Sequence, residues 1–426
     1  MTRNAMRVAG LSGAATLVLG LLAGVPGAWA DPPGACDGLS VTILGTDGDD
    51  VLTGTAGDDV VSLGAGIDRL DARGGNDVVC GGPGRDAMRG GAGDDRVFGE
   101  GDSDIVVGEL GNDLVDGGDG GDAIYGDLLG GTPVPGADGA DKLFGGAGDD
   151  RLELVSGDGF GGGGADVADG GEGIDMVSYE TSRTPVAIDV PAGSAQGDAD
   201  DVLTDFEIYR GSEYGDVLLG SNGPDVLDAL ESWGDRVDFV FGHAGDDTLT
   251  ADEGFVNAGR GDDTFVPSGR GTYRLDVDLG TGDDRADIMQ GGATIRGERG
   301  RDSFHVIQPD YGMVRSHVYG GQGRDLLSFA AFAHAVRADV GLGRATAQGL
   351  RMRFQAVEQV LGSRRADTLL GGARADTLRG RGGHDVLRGH RGDDLLVGGR
   401  GRDIAKGGRG HDSCAAERRS SCEKRP

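Results

Sequence analysis

The sequence predicts an all-β fold: a parallel β-roll or β-helix solenoid of nine-residue repeats, with β-rich spacers. Three observations carry that prediction. Aspartate recurs every nine residues in two long blocks, an aliphatic residue usually follows each aspartate two positions later, and glycine supplies 87 of 426 residues. Glycine at about a fifth of a chain, against a usual seven per cent or so, marks a repeat or a low-complexity segment. Aromatic residues make up only 5%, too few for a thick core of large side chains.

The first block runs from Gly45 to Tyr125 in units of the form G-G-x-G-x-D-x-U-x, U being aliphatic; GGAGDDRVF, Gly90 to Phe98, is a clean copy. The sixth position is Asp in every unit: Asp50, Asp59, Asp68, Asp77, Asp86, Asp95, Asp104, Asp113 and Asp122. The eighth is always apolar (Leu52, Val61, Leu70, Val79, Met88, Val97, Val106, Val115, Ile124), and the fourth is Gly except at Asp102. Chance acidic low complexity does not hold three positions in phase over nine units. The register returns with Asp367, Asp376, Asp385, Asp394, Asp403 and Asp412, followed at two residues by Leu369, Leu378, Leu387, Leu396, Ala405 and Cys414. Partial copies lie between, around Asp141, Asp150, Asp166, Asp175, Asp216, Asp225, Asp247, Asp263, Asp284, Asp302 and Asp325.

In each unit the first six residues suit a tight turn and the last three a short strand, with the eighth residue pointing inward and its neighbours outward. Two units make one coil of 18 residues. Asp50, Asp68, Asp86, Asp104 and Asp122 then stack along one edge, and Asp59, Asp77, Asp95 and Asp113 along the other. Coils about 4.8 Å apart leave neighbouring carboxylates repelling by about 3–4 kcal/mol at an effective dielectric near 20. A cation is the natural filling. Carboxylates and turn carbonyls are hard oxygen donors in a flexible loop, which favours Ca²⁺ over zinc or copper, while Mg²⁺ dehydrates too reluctantly.

The nonapeptide resembles the hemolysin-type, or RTX, calcium-binding repeat, specifically over Gly45–Tyr125 and Gly362–Ala415. The resemblance implies ions held between turns of one edge by the repeat Asp and by carbonyls of the glycine region. It implies about seven sites in the first block and about four in the last, where Arg365 and Arg374 stand in place of glycine. The expected ligands are Asp50, Asp59, Asp68, Asp77, Asp86, Asp95, Asp104, Asp113, Asp122, Asp141, Asp150, Asp376, Asp385, Asp394, Asp403 and Asp412. Metal binding then doubles as folding energy, so the chain is expected to fold where calcium is plentiful.

A longer duplication defines the spacers. Asp175-Met-Val-Ser-Tyr179 is echoed by Asp325-Leu-Leu-Ser-Phe329, Asp189-Val190 by Asp339-Val340, and Glu207 by Glu358. The expected organisation is an export signal at 1–30, a calcium-binding roll with its cap at 31–178, and a β-rich spacer at 179–228. A degenerate or irregular solenoid follows at 229–319, then a second spacer at 320–361, a second roll at 362–415 and a disulfide-closed tail at 416–426. The signal rests on Arg3 and Arg7, the apolar stretch Leu11–Val25 and the Ala28-Trp29-Ala30 cleavage pattern. Four cysteines in an exported chain favour disulfides, and Cys36–Cys80 with Cys414–Cys422 is the preferred pairing because the pairs sit at opposite ends.

The net charge of −32 disfavours nucleic acid and anionic membranes as partners, and no apolar run after the signal is long enough to span a bilayer. A soluble, extracellular monomer is expected. No H-E-x-x-H or G-x-S-x-G sequence occurs, so no catalysis is expected. The rival is an exoenzyme with a β-helical site at 229–319, where His243, His305 and His317 lie with Asp310 and Tyr311. Two Arg-Gly-Asp triplets, at Arg260 and Arg391, fall within the repeat and arise from it readily. From Gly362 onward about 15 Arg and Lys stand against nine acidic residues. A cell-surface or matrix polymer is a conceivable partner there, with arginines on outward turn positions the simpler reading.

Overall fold

The computed structural model describes residues 35–127, 139–154, 164–197, 200–230, 236–268, 274–289, 292–308 and 313–422. The expected export signal at 1–30, together with Asp310 and Tyr311, lies outside them.

Each coil gives one strand to each of two parallel sheets. In the first sheet Val51–Thr53, Arg69–Asp71, Ala87–Ala92, Ile105–Leu110 and Ala123–Tyr125 pair in succession, which puts Leu52, Leu70, Met88, Val106 and Ile124 in register. In the second, Val60–Ser62, Val78–Pro83, Arg96–Gly101, Leu114–Asp119 and Lys142–Ala147 align Val61, Val79, Val97, Val115 and Leu143. These eighth-position side chains are buried, apart from the half-exposed Leu52 of the first coil, and belong to one cluster that reaches Cys414. The inward aliphatic of every unit therefore builds a core one side chain deep per sheet.

Interior strands are longer than the three residues the repeat suggests. Ala87–Ala92 and Ile105–Leu110 run six residues, because pairing continues through the glycine pair to Glu109↔Gly91 and Leu110↔Ala92. The region expected to be irregular also keeps the pattern. Thr248–Ala251, Thr264–Pro267, Arg285–Ile288, Ser303–Val306 and Leu326–Ser328 continue the first sheet in parallel. Phe265 and Phe304 are fully buried there, so larger core residues hold the coils together where the glycine pattern thins.

The duplicated spacers are one structure used twice. In the first, Ala187–Asp189, Ser194–Gln196 and Asp200–Thr204 form an antiparallel meander in the second sheet. In the other, Arg337–Asp339, Arg344–Ala347 and Leu350–Gln355 do the same. Both disulfides form as expected, Cys36–Cys80 and Cys414–Cys422. The first ties the opening hairpin Ala35–Cys36/Leu39–Ser40 to the strand Val78–Pro83.

Candidate metal centre

The sixth-position aspartates fold back beneath their own turns. Asp68, Asp77, Asp86, Asp95, Asp104, Asp113 and Asp122 are each at most 3% exposed. One oxygen of each is used by the previous coil. The Asp50 main-chain N–H donates to Asp68 Oδ1 at 2.7 Å, Asp68 to Asp86 at 2.8 Å, and Asp86 to Asp104 and Asp104 to Asp122 at the same distance. Asp59, Asp77 and Asp95 donate likewise to Asp77, Asp95 and Asp113. The two predicted edges are thus two ladders of carboxylates. The other oxygen, Oδ2, is buried without a hydrogen-bond partner in all seven.

The turn glycines make room for this arrangement. Gly90, at the first position, has a hypothetical Cβ 2.5 Å from Asp95 Oδ2, so a side chain there would displace the carboxylate. Gly93, at the fourth, has φ +138°, and its Cβ would lie 2.0 Å from the Gly75 carbonyl oxygen one coil earlier. Main-chain carbonyls of each turn therefore face the next turn at close quarters. The fifth position adds an outer ladder running the opposite way: Asp58 Oδ1 accepts from Asn76 N–H, Asn76 from Asp94, and Asp94 from Asn112. Both Arg-Gly-Asp triplets feed it, since Asp262 and Asp393 accept from Asp283 and His411.

Burial dominates the electrostatics. Desolvation lifts the carboxyl of Asp86 to about 6, those of Asp95 and Asp113 to about 7, and that of Asp104 to about 8. The backbone hydrogen bond pulls each one down, while neighbouring aspartates push it further up. An orphaned oxygen on a carboxylate held close to neutrality is what a missing positive partner leaves behind.

Three of the expected ligands sit differently. Asp50 Oδ2 accepts from the Thr46 N–H and hydroxyl, Asp59 Oδ2 from the Thr55 N–H, and Asp376 Oδ2 from the Gly372 N–H. Asp216, Asp225 and Asp367 are held in the same way by Ser212, Ser221 and Ser363. These are the opening turns of the first block, of the segment after the first spacer and of the last block. Each closes its carboxylate within its own turn. In an interior turn the same main-chain amide joins the ladder instead, as Glu109 N–H donates to Gly126 O.

The structure also extends the ladder well beyond the predicted ligands. On the Asp50 edge the line passes Asp122, Asp150 and Asp175 to Glu207 Oε2. It resumes through Asp225, Asp247, Asp263, Asp284, Asp302 and Asp325 to Glu358 Oε2. From Asp376 it continues through Asp394 to Asp412. The other edge runs from Asp113 through Asp141 and Asp166 to Asp201, and later from Asp367 through Asp385 and Asp403 to Glu417. Asp175, Asp247, Asp263, Asp284, Asp302 and Asp325 have the same orphaned Oδ2, yet they are not among the predicted ligands. Their partial repeats were visible, but the step from rung to rung varies from 16 residues, Asp247 to Asp263, to 25, Asp150 to Asp175, so counting in nines does not align them.

Among the described residues no three acidic, His or Cys side chains converge as a metal cluster. A cation here would meet few carboxylates and several carbonyls, a hard-oxygen set of adaptable number that fits Ca²⁺ and not the nitrogen and sulfur donors of zinc. The RTX calcium-binding nonapeptide repeat (4 copies) matches at residues 44–79, 53–88, 71–106, 81–115, 98–128, 136–159, 160–177, 210–232, 234–265, 361–396 and 389–417, together more than half of the chain. The chain belongs to this family. Among curated proteins nothing matches it. As an RTX protein it is built from repeats of the calcium-binding type, which have a structural role. The histidines of the rival reading do not come together on the RTX scaffold. His305 pairs with Asp287 and Ser328 in the first sheet, and His317 with Thr294 and Arg353 in the second. No helix among the described residues is long and apolar enough to cross a membrane.

Proposed function

We propose that this RTX chain is a secreted structural protein whose folding is driven by extracellular Ca²⁺ and which has no catalytic activity of its own. The supporting observation is the line of buried Oδ2 atoms without partners, in Asp68, Asp86, Asp104 and Asp122 on one edge and Asp77, Asp95 and Asp113 on the other. Those residues, with the turn carbonyls that face them, are the ones that would hold the ion. Calcium, when bound, supplies the positive charge that lets a file of desolvated carboxylates remain ionised side by side. Without it the turns keep their glycine geometry but must either protonate or open. The chain then leaves the low-calcium cytosol unfolded and closes outside as a monomer, as the basic n-region and the Ala28-Trp29-Ala30 pattern of its first 30 residues suggest.

Far-UV circular dichroism of the mature chain after chelation, titrated with CaCl₂ and separately with MgCl₂, tests this reading. A cooperative gain of β signal with calcium alone is expected. A β spectrum that chelation leaves untouched would overturn calcium-driven folding.

A further inference from the structure

Charge is distributed unevenly along the solenoid. From Arg315 to the end the chain has 21 Arg and Lys against 12 Asp and Glu, whereas the residues before it have 19 against 60. Seven of the 12 acids, Asp325, Asp367, Asp376, Asp385, Asp394, Asp403 and Asp412, are buried in the turn ladders, so the outer surface is more basic than the count.

Strand register places that charge on one sheet. Across the outer face of the second sheet, His317 lies beside Arg353, Arg353 opposite Arg344, and, beyond Asp339 and Leu370, Arg388 beside Lys406. A parallel row two residues away runs from Arg351 through Thr346 to Arg337, and then through Thr368, Val386 and Ile404 to Arg418. The basic side chains of both rows are exposed, whereas Leu370 between them is buried and Asp339 half-buried; the residues between them in sequence, such as Ala338, Ala345 and Met352, fill the core. The opposite sheet of the same coils presents Leu326, Gln359, Thr377 and Leu395, with Arg379 among Ser328, Leu361 and Val397, and Arg381 and Arg400 only at the turn ends of its strands. A composition bias would load both sheets alike. Arginines confined to outward turn positions would load neither.

The face is also unpaired. Among the described residues every arginine ion pair uses Arg89, Arg96, Arg151, Arg210, Arg285 or Arg296, all before this face begins. Like charges directly opposite one another, as Arg344 and Arg353 are, weaken a strand pair, so folding alone gives no reason for them. With strands about 4.8 Å apart, Arg344 and Arg353 on adjoining strands, with Arg337 and Arg351 one row over, form a compact basic cluster suited to the carboxylates of a linear chain, which Arg binds by paired N–H donors. Among the described residues of these strands Tyr319, beside His317, is the only exposed Phe, Tyr or Trp, so the face lacks the run of stacking platforms that single-stranded nucleic acid uses.

We propose that this face of the second sheet, from His317 to Arg418, docks an extended acidic glycan. The inference rests on the reading of the chain as an exported structural protein and adds its partner. Calcium loading would favour docking, because each bound ion removes negative charge from the edges that flank the face.

The test is binding of a labelled hyaluronate oligosaccharide to the full mature chain in calcium, against neutral dextran and single-stranded DNA, over a range of NaCl. Two fourfold variants are compared, Arg337→Gln/Arg344→Gln/Arg351→Gln/Arg353→Gln on the face and Arg364→Gln/Arg374→Gln/Arg400→Gln/Arg402→Gln at the turns. The face variant should lose at least roughly tenfold in affinity and most of the salt dependence, and the turn variant less than about twofold. Equal losses would reduce the effect to net charge and overturn the proposal, as would tighter binding of DNA than of hyaluronate, or no hyaluronate binding by the parent. If the face variant loses its β spectrum, Arg344→Gln and Arg353→Gln singly replace it. Parallel dichroism with and without calcium separates the two readings. A calcium-responsive chain that ignores hyaluronate sinks only the docking face, and hyaluronate binding by a chain whose fold ignores calcium sinks only calcium-driven folding.

Discussion

The Tyr179 hydroxyl donates to Asp201 Oδ2 at 2.8 Å, at the point where one carboxylate ladder ends. Asp201 Oδ1 accepts the Asp166 N–H from the coil before, so Tyr179 supplies from the protein what other rungs lack. The second spacer shows why the pair exists. There Phe329 stands at the place of Tyr179 and Met352 at that of Asp201, each of the latter two lying opposite an alanine, Ala195 or Ala345. Among the described residues no carboxylate ladder enters that spacer on this edge, and hydrogen-bonded polarity gives way to buried hydrocarbon.

Tyr179→Phe should therefore cost about 1–3 kcal/mol, the penalty for stranding a buried acceptor. Burial already lifts the Asp201 carboxyl to about 6, with the Tyr179 hydrogen bond opposing that rise. Its loss should raise the carboxyl further, so the destabilisation should be larger at pH 8 than at pH 5. Tyr179→Phe combined with Asp201→Ala should cost little more than Asp201→Ala alone. Urea unfolding in saturating calcium measures all three, and strictly additive losses would refute the coupling.

Acid should stabilise the metal-free fold. The buried carboxyls of Asp86, Asp95, Asp104 and Asp113 lie near 6 to 8, against 3.8 for an unperturbed Asp. The folded state therefore binds more protons than the unfolded one across that interval, and stability falls as pH rises. The contribution is complete below about pH 4 and is lost as pH climbs through 6 to 8. Dichroism in chelator should show β structure gained on acidification and lost toward pH 8. With calcium the dependence should flatten, and binding near pH 7 should release protons, which calorimetry in buffers of different ionisation enthalpy detects.

Asp86→Ala with Asp104→Ala removes two adjacent rungs of one edge. Equilibrium dialysis should find fewer bound calcium ions and dichroism a higher calcium midpoint. Unchanged stoichiometry would count against these residues as ligands.

Gly93→Ala should be far worse than Gly101→Ala. The first would set a Cβ 2.0 Å from Gly75 O at φ +138°, while the second meets nothing within 4 Å. A main-chain carbonyl cannot swing aside as a flexible side chain can, so a loss of more than about 2 kcal/mol is expected for Gly93 and under about 1 for Gly101. Thermal unfolding in calcium distinguishes them.

Opening the disulfides should have unequal effects. Cys36–Cys80 spans 44 residues and Cys414–Cys422 only 8, so chain entropy assigns about 4 kcal/mol to the first and about 2.5 to the second. Paired Cys→Ser variants compared by denaturant unfolding check the order.

Much of this was legible before any coordinates. The inward series from Leu52 to Ile124 and the two alternating lines of aspartates each required only a period of nine and the alternation of a strand. The disulfide pairing followed from position. Two things escaped. The rungs from Asp166 to Asp325 are joined across insertions of variable length, and a hydrogen-bonded step of 16 residues, Asp247 to Asp263, or of 28, Asp122 to Asp150, has no fixed signature. Glu207 and Glu358 were visible as a duplicated pair, but their longer side chains complete the same ladder from a backbone that departs from the repeat. The self-closed turns at Thr46 and Ser363 depend on which acceptor a turn amide takes, the carboxylate of its own turn or a carbonyl of the next coil, which a single sequence does not display.

The two edges are not equivalent along the molecule, and this has a mechanical consequence. The Asp50 edge is stitched in three long runs that meet at Glu207 and Glu358, whereas the other edge has no carboxylate rung among the described residues between Asp238 and Asp367. Pulled from its ends, such a rod should not yield uniformly. Rupture should start in the central coils, where one seam alone resists, and the doubly stitched ends should come apart later, coil by coil and at higher force. A chain that carried load between two attachment points would then have a built-in extensible middle between stiff grips.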